Sequence, residues 1–262
     1  MLFRSHRVCD VVECPVALPP VQERLTALRE RMSAEELPED FREFEAVAGD
    51  EGVALEPSVE PGDEREQLRR IGGETYRFDA GCFFQINHAL LAPLVEEGLR
   101  GTSEGGDTAL DLYSGVGLFT LPLARRFRRV VAVEGNSASV RYARRNLSDA
   151  SLTNARVETS AVGDWLERHA HELGRADFVL LDPPRAGAEP EAVRGIINLQ
   201  PTHISYVSCD PATLARDLRL LLDAGYHIHS LRAFDMFPQT HHVETVVHLT
   251  ASSPVKYKSK CD

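Results

Sequence analysis

From residue 87 onward, apolar strand-like runs alternate with segments of helix length, and no other feature constrains the fold of this chain as strongly. The runs are TALDLYS (108–114), RVVAVE (129–134), ARVETS (155–160), DFVLLD (177–182) and HISYVS (203–208). Neighbouring parallel strands need a crossover long enough to bring the chain back, and a helix supplies it. Strands spaced this way predict an α/β fold with a mostly parallel, doubly wound sheet and helices on both faces. The end differs: HIHSLRAFDMF (227–237) and ETVVHLT (244–250) follow one another with no helix between them. That spacing predicts an antiparallel C-terminal strand pair at one side of the sheet.

The first part of the chain reads differently. PPVQERLTALRERMSAEELPED (19–40) is predicted as one amphipathic helix, with Val21, Leu25, Leu28 and Met32 at helical spacing. FREFEAVAGDEGVALEPSVEPGDE (41–64) alternates around Gly49-Asp50-Glu51-Gly52, the signal of a hairpin followed by an acidic Pro-Gly linker. The expected organisation is a small N-terminal α+β domain over 1–80, a larger α/β domain over 81–251 and a flexible tail over 252–262.

Composition excludes some classes. The net charge of −11 argues against a chain coated for nucleic acid but leaves room for a local basic groove. Arginine supplies nearly all the positive charge, because the only lysines are Lys256, Lys258 and Lys260. RRFRR (125–129) and RYARR (141–145) read either as phosphate contacts or as solvated helix faces. Cys9, Cys14, Cys82, Cys209 and Cys261 are odd in number and irregularly spaced, which predicts reduced thiols and disfavours a zinc site. No run approaches the roughly 18 apolar residues of a membrane span and the N-terminus lacks a signal-like stretch, so a cytoplasmic protein with no membrane partner is expected.

Ligands of a doubly wound sheet bind beyond the carboxyl ends of its strands. The first strand stops at DLYSGVG (111–117), where Gly115 and Gly117 let the backbone approach a ligand. The second stops at Glu134, whose carboxylate can accept from both hydroxyls of a ribose. Thr120 stands where a dinucleotide fingerprint wants a small residue, so an adenosine cofactor without a pyrophosphate, S-adenosylmethionine, fits better. The fourth strand stops at LLDPPRAG (180–187), a rigid non-helical corner that holds Asp182 and Arg185 at the pocket mouth. The fifth stops at Cys209. Asp210 is a good N-cap and Pro211 a good first helical residue, so the thiol is expected at a helix N-terminus whose dipole lowers its pKa. A buried, inert cysteine is the competing reading. His241 and His242, near Asp235 and Glu244, suggest a metal site at first sight, but adjacent strand residues point to opposite faces, so no metal is expected.

Taken together and in order, FFQIN, DLYSGVGLFTLPLA, VVAVEGN, LLDPPRAG, VSCDPATLARDL and DMFPQTHHVETVV resemble the RNA 5-methyluridine methyltransferase family over residues 80–250. The resemblance implies a Rossmann-like class I fold and methyl transfer from S-adenosylmethionine to uracil C5 in tRNA or rRNA. It makes Cys209 the nucleophile that adds to C6 and Glu244 the base that removes the C5 proton. It assigns the cofactor to Gln85, Tyr113, Glu134 and Asp182, with Gly115 and Gly117 allowing close approach. Phe83 is either a wall for the extruded base or ordinary core, and Arg185 contacts a substrate phosphate or a uracil carbonyl. Larger members carry an oligonucleotide-binding barrel and an iron-sulfur cluster on four cysteines. This chain reads as an N-terminally shortened member, with Cys14 in VVECPVA as a remnant and no iron-sulfur cluster expected. Two alternatives stay open: a methyltransferase of another class using DPPR as an amino-directed motif, and a shortened chain that binds cofactor or RNA without turnover.

Overall fold

The structure is a computed structural model that describes residues 11–37, 43–59, 65–85, 87–102 and 106–251. The tail with its lysines, Cys9, Cys261 and the linker residues 60–64 lie outside the described residues. Helix α1 (Pro19–Ser33) starts on two prolines and stops well before Asp40. It lies against the hairpin of β1 (Glu45–Ala48) and β2 (Val53–Glu56). Of its apolar stripe only Leu28 is buried, while Met32 is exposed.

A second hairpin, β3 (Glu66–Ile71) and β4 (Glu74–Asp79), turns at Gly72-Gly73, both at positive φ. The sequence reading does not include it, although a Gly-Gly pair between alternating runs is a hairpin signal. Helix α2 (His88–Gly98) follows, and the large sheet then begins.

The sheet elements come in the expected order: β5 (Gly106–Leu112), α3 (Thr120–Ala124), β6 (Phe127–Glu134), α4 (Ser137–Asp149), β7 (Ala155–Thr159), α5 (Val162–Leu173), β8 (Phe178–Leu181), α6 (Pro190–Leu199), β9 (His203–Ser208), α7 (Pro211–Asp223), β10 (Tyr226–Phe234) and β11 (Glu244–Ala251). Their spatial order is β10-β11-β9-β8-β5-β6-β7. The pairs among β5 to β9 are parallel, whereas β11 runs antiparallel to both of its neighbours. The expected C-terminal pair is present, with the last strand inside the sheet and β10 at the edge. Burial explains the choice: β11 carries Val246, Val247 and Leu249, all fully buried, while β10 exposes His227, His229 and Arg232. Charged side chains on an edge strand discourage pairing with other chains.

Strand order reverses between β5 and β8, which opens a crevice beyond their carboxyl ends. One face of the sheet is covered by α5, α6 and α7, the other by α2, α3, α4 and the β3–β4 hairpin. Phe78 of that hairpin stacks on Phe84 at 4.3 Å and 6°. Asn146, fully buried on α4, accepts from the Arg77 amide at 2.8 Å and donates to the Arg77 and Val116 carbonyls at 3.1 and 3.0 Å. One side chain thereby ties β4 to the turn after β5, and each group it satisfies would cost about 1–3 kcal/mol if left unpaired.

The two arginine clusters are largely occupied by bracing. Arg125 pairs with Glu74 at 2.8 Å, Arg145 with Glu66 at 2.6 Å and Arg141 with Asp79 at 3.8 Å, all on the hairpin. Arg128 reaches Asp107 at 3.2 Å. Among the described residues no helix is long and apolar enough to cross a membrane.

Candidate active site

Four strand ends converge on a cavity of about 750 Å³, within the range of small-molecule sites. At the end of β5 the chain turns sharply, with Tyr113 at φ 63° and Gly115 at φ 54°. The Gly115 amide donates to one oxygen of Glu134 at 2.9 Å and the Asn136 amide to the other at 2.7 Å. Two backbone donors therefore fix the carboxylate, and a lone pair on each oxygen remains for a ligand. Asn136 also caps α4, accepting from the Ala138 and Ser139 amides.

At the end of β9, Asp210 caps α7 by accepting from the Ala212 and Thr213 amides at 2.8 and 2.9 Å, with Pro211 the first helical residue. Half-buried Cys209 therefore stands where the sequence places it. Its acidity is not as expected. Burial pushes the thiol up, the Glu244 and Asp182 carboxyls push it further, and only Arg185 among the nearby side chains opposes them. Removal from water and two facing carboxyls outweigh one helix dipole, so the expected lowering of the thiol pKa is overturned.

Glu244 opens β11 and is 1% exposed, with neither carboxylate oxygen hydrogen-bonded among the described residues. Withdrawal from water raises its pKa and that of Asp182, and the two repel one another's charge, so the pair holds protons well above the usual carboxylate range. Deeper, Asp111 is fully buried with one oxygen bonded to Thr120 Oγ1 at 2.5 Å and the other without a partner among the described residues, and burial pushes it up to about 7.

These raised carboxyls give stability a pH dependence of definite sign. The unfolded chain releases their protons near the ordinary value of about 4. Between that value and the raised ones the folded state binds more protons, so stability falls as pH rises through the window. Glu244→Gln lacks its share of this loss. In thermal melts near pH 8.5 the variant should melt about 2–4 °C above the parent, with the gap closing towards pH 5. A gap that is absent at the higher pH, or that widens on acidification, would contradict the buried, unpaired carboxyl.

The structure gathers the residues singled out in the sequence on this cavity. Gln85, Tyr113, Gly115, Glu134 and Asp182 line it, with Phe83, Arg185, Cys209 and Glu244. Gly117 does not line it; its amide bonds to the Ser114 carbonyl at 2.9 Å and it shapes the turn instead. Of the two readings of Phe83 the core one fails: Phe84 is buried, while Phe83 is 71% exposed at the cavity wall. His241 and His242 lie in the loop before β11 and not on a strand, so their rings are not parted but meet in a tilted arrangement. Among the described residues no group of three or more His, Cys, Asp or Glu is placed to hold a metal ion.

Sequence reasoning missed Asp217. This buried carboxylate on α7 accepts from Tyr206 Oη at 2.6 Å, the Ala188 amide at 2.9 Å and Arg216 Nε at 2.8 Å, and Arg216 donates to the Ala186 carbonyl at 3.0 Å. It thereby locks the Asp182–Glu189 loop to the strand and helix that flank Cys209. Gly187 makes the approach possible: at φ 80°, a Cβ there would lie 2.6 Å from Asp217 Oδ2. Across the mouth, the Tyr113 hydroxyl donates to Glu189 and holds the loop from the cavity side.

Comparison with known proteins is consistent with this geometry. The tRNA (Uracil-5-)-methyltransferase family matches residues 65–252. The 23S rRNA (uracil(1939)-C(5))-methyltransferase RlmD of Klebsiella pneumoniae is 36% identical over 276 residues, covering 93% of this chain and 63% of that protein. An uncharacterized RNA methyltransferase of Thermotoga maritima is 40% identical over 177 residues, covering 67% of this chain and 40% of that protein. The crystal structure of Pyrococcus abyssi tRNA (uracil-54, C5)-methyltransferase in complex with S-adenosyl-L-homocysteine superposes with a TM-score of 0.75 at 27% identity, covering 93% of this chain and 70% of that one. The chain thus spans from 40% to 63% of the length of these two curated relatives.

Proposed function

The chain belongs to the tRNA (uracil-5-)-methyltransferase family, and from that premise we propose that it methylates C5 of a uridine in tRNA or rRNA, using S-adenosylmethionine, to give 5-methyluridine. The observation that carries the reading is the sharing of one cavity by the Cys209 thiol, the unpaired Glu244 carboxyl and the Glu134 carboxylate.

The residues present fit the cofactor. Among the described residues Gln85 Oε1 and Ser114 Oγ are buried and unpartnered at the cavity, Glu134 keeps acceptor capacity for ribose hydroxyls, and Val116, Phe119 and Val162 offer an apolar wall for a base. Gln85, Tyr113, Glu134 and Asp182, with Gly115, would hold it. Bound there, S-adenosylmethionine supplies an electrophilic methyl group on a positively charged sulfur.

The chain's own groups supply the rest. C5 of uracil is a weak carbon nucleophile, so Cys209, its proton released to solvent, adds to C6 as the thiolate and leaves an enolate that is nucleophilic at C5. Arg185, at the mouth and favouring the thiolate, is placed to stabilise the negative charge. Once C5 carries the methyl group, Glu244 in its ionised form takes the C5 proton, the C6–S bond breaks and the thiolate is released. Exposed Phe83 forms the wall against which the extruded base rests.

The test is incubation with methyl-labelled S-adenosylmethionine and bulk tRNA or rRNA, followed by nucleoside analysis. Label in 5-methyluridine is expected. Label on an exocyclic amine would favour the amino-directed class, and cofactor binding without incorporation would favour a chain that does not turn over.

A further inference from the structure

The loop 235–243 between β10 and β11 carries rings that the proposed chemistry does not use. Phe237 lines the cavity, and His242 meets it edge-on at 6.1 Å and 75°. The His241 ring meets His242 at 4.1 Å, tilted by 38°. Burial decreases along this series: Phe237 and His242 are half-buried, and His241 is exposed. The rings thus lead from the cavity wall into solvent, immediately before the strand that presents Glu244.

Resting on the reading of the chain as a uridine methyltransferase, we propose that His241 and His242 form a stacking step for the base next to the target uridine in locally single-stranded RNA. A base that leaves its stack to enter a cavity also deprives its neighbour of a stacking partner. Planar rings at the mouth replace that partner, and stacking tolerates any base because every base has a π-face.

The electrostatic surroundings favour stacking over phosphate contact. Burial, Arg185 and His241 together hold the His242 imidazole below its ordinary pKa against the opposing pull of Asp210, which favours the neutral ring. A neutral ring offers a face and not a counter-charge.

The probe is a single-stranded RNA oligonucleotide with 2-aminopurine directly beside a uridine, titrated with the full chain and S-adenosylhomocysteine. The parent protein should quench the 2-aminopurine fluorescence. His241→Ala should lose the quench and bind the probe about tenfold more weakly at every salt concentration, and His241→Phe should restore both. S-adenosylhomocysteine affinity, unchanged in both variants, reports that they are folded. Absence of quenching by the parent, quenching retained in His241→Ala, or rescue by His241→Arg with a changed salt slope would each overturn the stacking step. Methyl incorporation into bulk RNA is measured alongside: its absence from the parent counts against the function proposed above, whereas its presence with an unaffected His241→Ala counts against the stacking step alone.

Discussion

Cys209→Ala is expected to abolish methyl transfer, lowering kcat/KM by on the order of 10³-fold or more, while binding S-adenosylhomocysteine as the parent does. The thiol lines the cavity, and the cap at Asp210 and the Glu134 clamp are made by other atoms, so its removal leaves both intact. With RNA containing 5-fluorouridine the parent should form a covalent protein–RNA complex stable to denaturation, because fluorine at C5 cannot leave as a proton. The alanine variant should form none. Undiminished activity or trapping in that variant would remove Cys209 from the mechanism and return the amino-directed reading to first place.

Glu244→Gln is expected to separate the two halves of the reaction. Glutamine keeps the shape of the side chain but cannot take the C5 proton, so the first methyl transfer proceeds and elimination stalls. Single-turnover experiments should show up to one methyl group incorporated per protein, a covalent RNA adduct that accumulates on ordinary uridine, and steady-state turnover lowered by about 10²–10⁴-fold. Loss of the first methyl transfer, or turnover like the parent's, would assign the proton to another base. In the free protein the pair of Glu244 and Asp182 retains protons, so turnover should rise with pH as the pair ionises. A positive charge bound beside the two carboxyls favours their ionised forms, which moves that rise to lower pH than in the free protein.

The β9–Cys209–α7 junction was legible because every part of it is local. An apolar β-branched run, a cysteine, an Asp N-cap and a proline at the first helical position carry their meaning within a few residues. The same holds for Glu134 and the turn at Tyr113–Gly117, whose positions follow from where strands end. The β3–β4 hairpin had a local signal in Gly72-Gly73, and only its packing gives it weight: Tyr76 reaches the Leu118 carbonyl at 2.9 Å and Phe78 stacks on Phe84. Asp217 had no usable signal. Its partners come from β9, from its own helix and from the loop after β8, and nothing in ARDL distinguishes a buried clamp from a solvated helix face.

By itself the sequence determined the alternation of strands and helices, the strand ends on which the cavity-lining side chains stand, and the helix start that places Cys209. Each depends on periodicity and capping over one or two turns of chain. Tertiary structure decided what depends on distance between remote residues and on exclusion of water. It set β11 inside the sheet, which brings Glu244 beside Asp182, and it brought the His241 and His242 rings together in a loop. It also raised the Cys209 thiol, whose helix dipole taken alone would have lowered it. The dipole is a local property, whereas burial and two carboxyls from other strands exist only once the chain has folded, and in that environment they outweigh it.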